Sequence, residues 1–343
     1  MSIVDLEKLS EEDLLKIRIC DLPVQIGGTP LEKNIQQLYK ELSDKNIVFH
    51  PVCYLADEWM CPDEEPVIGI PFYLAHPRLT RLEKKMMLEA EGEGRHEFLQ
   101  LLRHECGHAI NYAYRFFEKR EWNKIFGPFK KEYPDRYVPR PYSRRYVQHL
   151  ESHYAQYHPD EDFAETFAVW LDPNSNWHEE YAKWPAIEKL LYIDHLMQSI
   201  AGKEPLNKAG RKYWRADKMK SRLQNFYQKK KRMFSEDLPG FYDPDLEKIF
   251  SSDRTFVKNE NAARFLWRKK REITNAVARW TGRNKFVINN LLEILIISSG
   301  EQKLNLKYDE ATTLVDVTVY ITTRIMNYLF TGKFKGEPFK RIR

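Results

Sequence analysis

Cysteine is scarce in this chain. Its 343 residues hold four, Cys20, Cys53, Cys61 and Cys106, and no two form a Cys-x-x-Cys pair. They read as free thiols in a reducing compartment, in preference to a Cys53–Cys61 disulfide. Long apolar runs are missing as well. The longest, Ile294–Ile297 with its neighbours, is far too short to span a bilayer. Residues 1–15 are acidic and carry neither the basic nor the apolar part of a signal peptide. The expectation is a cytoplasmic protein without a membrane partner. Helix-turn-helix, zinc-ribbon and RNA-binding signatures are also absent, so nucleic acid is a partner the sequence does not favour.

What is present is a globular composition, 42% hydrophobic and 31% charged, with a split in charge. Residues 1–200 hold 24 Lys+Arg and 34 Asp+Glu, a balance of −10; residues 201–343 hold 31 and 16, a balance of +15. Such a split suggests two regions with different surfaces. Leu238-Pro239-Gly240 reads as the linker between a domain over 1–237 and a basic helical domain over 238–343.

The most informative stretch is His104-Glu105-Cys106-Gly107-His108, a His-Glu-x-x-His pattern. On a helix, residues four apart share a face, so two imidazoles converge on one metal ion. Glu105 is turned away by about 100° and becomes the candidate general base for a zinc-activated water. Apolar residues recur at helical spacing from Phe98 to Phe116 and predict a zinc helix that runs on to about Glu121. His96-Glu97 starts the same pattern, but position 100 is Gln and the copy fails.

The second stretch is His158-Pro159-Asp160-Glu161-Asp162-Phe163-Ala164-Glu165. Pro159 or Asp160 suits a helix start, and acids in the first turn complement the helix dipole. A catalytic zinc takes three protein ligands, and Glu161 completes a His₂Glu set. Glu165, one turn on, is placed to accept the spare N–H of a ligating imidazole. The competing reading is plain capping and solvation. His149, His153 and His158 remain alternative third ligands.

Elsewhere, residues 1–45 read as helical, with Thr29 or Pro30 starting the second segment. Asn46–His50 and Val67–Leu74 read as strands. Pro71 cannot donate to a ladder and points to an edge. Gly69, Ile70, Phe72 and Tyr73 then become candidates for pairing an extended substrate, against the simpler reading of a kinked edge strand. Arg81–Glu91 reads as a polar helix. Residues 122–150, with Pro139-Arg140-Pro141-Tyr142, read as an irregular insertion able to wall a cleft. Helices are expected over 174–235, 258–281, 284–298 and 308–331, the last three each ending before a glycine. Lys269, Lys270 and Arg271 form a basic cluster suited to nucleic acid or an acidic peptide.

The His104–His108 motif and the His158–Ala168 block resemble the gluzincin metallopeptidases, and more narrowly a bacterial family of zinc-binding metallopeptidases named for its motif. Pro71-Phe72-Tyr73-Leu74-Ala75-His76-Pro77 shares in the likeness, which covers roughly residues 45–200. The resemblance implies an α+β fold: a zincin-like domain whose small mixed sheet lays an edge strand over the motif helix, followed by a mostly helical C-terminal region. It implies Zn2+ held by His104, His108 and Glu161, Glu105 as base, and an oxyanion-stabilising tyrosine at Tyr154, with Tyr157 as rival. The expected activity is zinc-dependent hydrolysis of a peptide or protein substrate; the family, named for its motif, does not itself supply the substrate. No third histidine follows His108 at metzincin spacing, and no Gly-Ala-Met-Glu-Asn segment of the common aminopeptidases occurs. Two other functions stay open: a nucleic-acid-associated zincin protein, and a binding module with a structural zinc site.

Overall fold

Helical periodicity accounts for most of the chain. The computed structural model describes residues 5–134, 140, 142–235 and 243–331. These divide into two compact units, one formed by residues 1–86 and 90–227, the other by 87–89 and 228–343. The expected linker Leu238-Pro239-Gly240 lies outside the described residues, as do Pro139 and Pro141 of the irregular insertion.

The first unit opens with α1 (Glu11–Lys16) and α2 (Pro30–Asp44). Thr29 caps α2, its hydroxyl accepting from the Leu31 N–H, and Pro30 occupies the first helical position. Asn46–His50 is not a strand. Ile47 bonds back to the carbonyl of Leu42, Ile47 and Phe49 bury their side chains, and Pro51 has no N–H to extend a ladder. Pairing begins only beyond it. β1 (Val52–Ala56) runs parallel to β2 (Val67–Pro71), with Tyr54 opposite Gly69.

The expected substrate edge is corrected by this sheet. Gly69 exchanges both backbone hydrogen bonds with Met60, which closes the side of β2 facing away from β1. Phe72 and Tyr73 leave the strand in a 3-10 turn, and Gly69, Ile70, Phe72 and Tyr73 are all buried. Pro71 ends the strand rather than exposing it. A Cβ on Gly69 would meet Met60 Cγ at 2.7 Å and Ala56 Cβ at 2.8 Å, so the close pairing requires glycine.

α3 (Pro77–Met87) precedes α4 (Arg95–Ala113), which carries the His-Glu-x-x-His motif. α4 stops at Ala113, short of the expected end. Arg115 adopts a left-handed φ of 54° and a 3-10 turn follows over Phe116–Glu118. An unbroken helix would point Phe116 and Phe117 about 100° apart; the break lets both enter the core beside Trp122 of α5 (Arg120–Ile125). α6 (Pro159–Leu171), α7 (Trp177–Glu180) and α8 (Ile187–Ile200) follow. Residues 201–222, with Gly202, Pro205 and Gly210, interrupt the predicted helical run before α9 (Leu223–Ser235).

The second unit packs α10 (Asp243–Ile249), α11 (Ala262–Thr281), α12 (Lys285–Glu301) and α13 (Glu310–Thr331) around a separate apolar core. A short antiparallel pair, β3 (Phe250–Ser251) with β4 (Asn305–Leu306), ties it together. Gly282 caps α11 at a φ of 63°. α12 runs through Gly300 to Glu301 rather than ending before it, and Gly332 lies outside the described residues. The architecture is mixed α and β, dominated by helix. No helix among the described residues is long and apolar enough to cross a membrane. All four cysteines are free.

α4 is buried on every side from Phe98 to Ala113, apart from Gln100. Its Arg103 is held by a bidentate pair with Glu41 of α2, both bonds 2.8 Å, and by Asp172 at the end of α6 at 2.9 Å. Arg103→Leu leaves Glu41 buried without its partner. It should cost about 3–5 kcal/mol, read by chemical denaturation, because an uncompensated buried charge remains.

Candidate metal centre

Two helices build the site. α4 contributes His104 and His108, one turn apart on one face; α6 contributes Asp160, Glu161 and Glu165. They meet at Gly107, where a Cβ would lie 2.7 Å from Ala164 Cα and 2.9 Å from its carbonyl oxygen. That contact brings Glu161, one turn before Ala164, against the imidazoles. His158 starts α6 as its N-cap, Nδ1 accepting from the Asp160 N–H at 3.2 Å.

Three acceptor atoms converge. Nε2 of His104 lies 3.1 Å from Nε2 of His108, and Glu161 Oε2 lies 3.1 Å and 3.2 Å from the two. Around a tetrahedral zinc with bonds of 2.0–2.1 Å, neighbouring ligand atoms stand about 3.3–3.4 Å apart, so the spacing fits. The far side of each ring decides its tautomer. His104 Nδ1 lies 2.8 Å from Glu165 Oε1, and His108 Nδ1 lies 2.8 Å from Asp160 Oδ2. Each Nδ1–H donates to a carboxylate, so in the neutral form of each ring the Nε2 lone pair faces the centre, as a metal ligand must. Two lone pairs and a carboxylate oxygen aimed at one point repel unless a cation sits among them.

The charges around the site make the same demand. Burial opposes protonation of His104, but Glu161 and Glu165 outweigh it and raise its pKa to about 9. His108 is pushed well above its ordinary range by Asp160 and Glu161, again against burial. Burial would raise Glu161, yet the two histidines hold it well below the usual carboxylate range. Protons thus stand where a metal cation would give the same relief.

The other polar groups of the two helices are engaged. Asp160 also accepts from Asn111 Nδ2 at 2.8 Å and from the Tyr112 hydroxyl at 2.5 Å. Glu165 Oε2 accepts from the Leu150 N–H at 2.9 Å, and Asp162 bonds Lys189 at 2.6 Å. The first-turn acids of α6 are therefore buried partners rather than solvated caps. Glu105 differs. Its side chain is buried, no hydrogen bond from the described residues holds it, and burial raises its pKa against the pull of both histidines.

His104, His108 and Glu161 are the metal-competent cluster found among the described residues. His149, His153 and His158 lie outside it. His149 Nε2 is 3.0 Å from the Gln100 carbonyl, and His158 is used as the cap. Tyr154 lies on the 3-10 segment before α6, its ring 5.6 Å from that of His104. Tyr157 donates its hydroxyl to the Pro134 carbonyl at 3.3 Å. Sequence reasoning missed Asp160, Asn111, Tyr112 and Tyr133, whose hydroxyl donates to Glu161 Oε1 at 3.0 Å. Asn111 and Tyr112 stand three and four residues past His108, the spacing that shares a helix face, and were legible. Tyr133 sits in an irregular stretch with no periodic signal.

Gly107→Ala should separate α4 from α6, because the clash is with backbone that cannot rotate away. The expected loss is about 1–3 kcal/mol, measured by denaturant unfolding; wild-type stability would show that the crossing has slack.

No protein-family model, curated protein or solved structure matches this chain.

Proposed function

We propose that this chain is a zinc-dependent metallopeptidase of the gluzincin kind, with a zincin-like fold in its first unit, that hydrolyses peptide or peptide-like amide bonds. The observation that carries this reading is the convergence of His104 Nε2, His108 Nε2 and Glu161 Oε2 beside a buried carboxylate, Glu105, that no described residue hydrogen-bonds. A buried acid without a hydrogen-bond donor beside a metal-competent cluster is a candidate functional group. Two imidazoles and one carboxylate suit Zn2+, and three protein ligands leave room for substrate chemistry. Bound Zn2+ supplies Lewis acidity, polarising a carbonyl and acidifying water.

The residues divide the remaining work. Glu165 and Asp160 hold the two imidazoles in the ligating tautomer. Glu105 takes a proton from the attacking water and returns it to the leaving amine; its raised pKa brings it nearer neutral pH, where a general base works best. Tyr154 donates to the carbonyl oxygen as charge grows there. It is preferred to Tyr157 because the Tyr157 hydroxyl is committed to Pro134, whereas no hydrogen bond from the described residues occupies that of Tyr154. Burial and the charges of Glu161 and Glu105 raise the Tyr154 pKa, which keeps the proton available.

The rival readings have less support. A closed structural zinc site needs a fourth protein ligand, and the described cluster offers three. The basic cluster behind the nucleic-acid reading is partly spent: Lys269 pairs with Glu272 and Glu310, and Lys270 with Glu293.

Metal analysis of the purified chain, followed by digestion of a peptide library, tests the proposal. Glu105→Gln should retain zinc and lose about 100- to 10,000-fold in turnover; Glu161→Ala should lose the metal. Undiminished cleavage by Glu105→Gln would end this mechanism.

A further inference from the structure

Tyr133 reaches the site from neither α4 nor α6. Its hydroxyl donates to Glu161 Oε1 at 3.0 Å, while Oε2 of the same carboxylate faces the two imidazoles at 3.1 Å and 3.2 Å. The two oxygens have separate duties. The Tyr133 ring lies flat on His158, centroids 3.9 Å apart and planes 13° apart. His158 is fixed at both nitrogens: Nδ1 accepts from the Asp160 N–H, and Nε2 donates to the Lys131 carbonyl at 2.6 Å. One imidazole therefore caps α6 and grips the chain two residues before Tyr133.

We propose that Tyr133 is a positioning residue that makes Glu161 a one-oxygen metal ligand, and that His158 seats it. The inference rests on the metal-site reading above. The terminal torsion of a glutamate is broad, and an unrestrained carboxylate offers a cation one oxygen or both. A donor fixed on Oε1 removes that freedom and leaves Oε2 aimed at the imidazoles. Histidine is needed at 158 for its two nitrogens and its flat face together. An N-cap alone asks only for a short acceptor such as Asn.

The test is Zn2+ affinity of the full chain, measured by competition with a chromophoric chelator, beside thermal unfolding of the chelator-treated protein. Tyr133→Phe keeps the stacked ring and removes the donor. Its Kd for Zn2+ should rise about 10- to 100-fold, the usual effect of removing an outer hydrogen bond, with the unfolding temperature unmoved. His158→Asn keeps a cap but loses the stack and the Lys131 anchor. It should weaken binding similarly, and the double variant should be no worse than the poorer single one. Wild-type affinity in Tyr133→Phe, or a loss matched by a fall in unfolding temperature, overturns the role of the tyrosine. Additive losses overturn the seating by His158. Absence of Zn2+ binding in the wild type overturns the metal reading itself, a distinct result.

Discussion

The site depends on how closely two helices approach at Gly107. A methyl group there would sit 2.7 Å from the Ala164 backbone, so glycine on one helix and a small residue on the other permit the contact. Glu161 and Glu165 flank Ala164 on α6, as His104 and His108 flank Gly107 on α4. Packing between the helices therefore sets the ligand geometry directly, with no loop in between. A site on rigid elements is held more tightly than one on loops.

The same packing makes polarity expensive. α4 and α6 lie in the core, and a buried polar side chain without a partner costs about 1–3 kcal/mol. The two helices meet that demand by serving each other: His104 with Glu165, His108 with Asp160, Arg103 with Asp172. α2 and α8 supply Glu41 and Lys189 for Arg103 and Asp162. Against this network Glu105 stands out, since His104, His108, Arg103, Asp160 and Glu165 each have hydrogen-bond partners and Glu105 has none among the described residues. It also shows that the acids of the first turn of α6 were misjudged by any rule that treats a helix N-terminus as a surface feature.

Much of this was legible in the sequence. The i, i+4 spacing placed two imidazoles on one face, Pro159 marked the start of α6, and glycine at 282 marked the end of α11. The misses have physical causes. Asn46–His50 looked like a strand because Ile47, Val48 and Phe49 form a short apolar run, yet such a run describes burial and not pairing, and Pro51 blocked the ladder. The edge strand at Gly69–Tyr73 failed because the connection between β1 and β2 folds back at Met60, a contact no local pattern encodes. The end of α4 was misplaced because aromatic crowding overrode periodicity. Tyr133 escaped notice because it meets Glu161 across 28 residues of sequence, a separation no local pattern reports. In the second unit, Lys269 pairs with Glu272 one turn on and with the distant Glu310, and Lys270 with Glu293, pairings of which only the first was legible from spacing.

The two helices of the site are joined by residues 114–158, and they touch without relying on that connection for their crossing. Loop-closure entropy grows slowly with length, so doubling the connection would cost only about 0.6 kcal/mol. A single methyl at Gly107 would cost more. Added length in the exposed part of that connection, away from the buried Phe116, Phe117 and Trp122, is thus cheap, while substitutions at the crossing are not. The same connection carries Tyr133 and Tyr154 to the site, so what surrounds the His104–His108–Glu161 cluster and what holds its three residues together are set by separate parts of the chain.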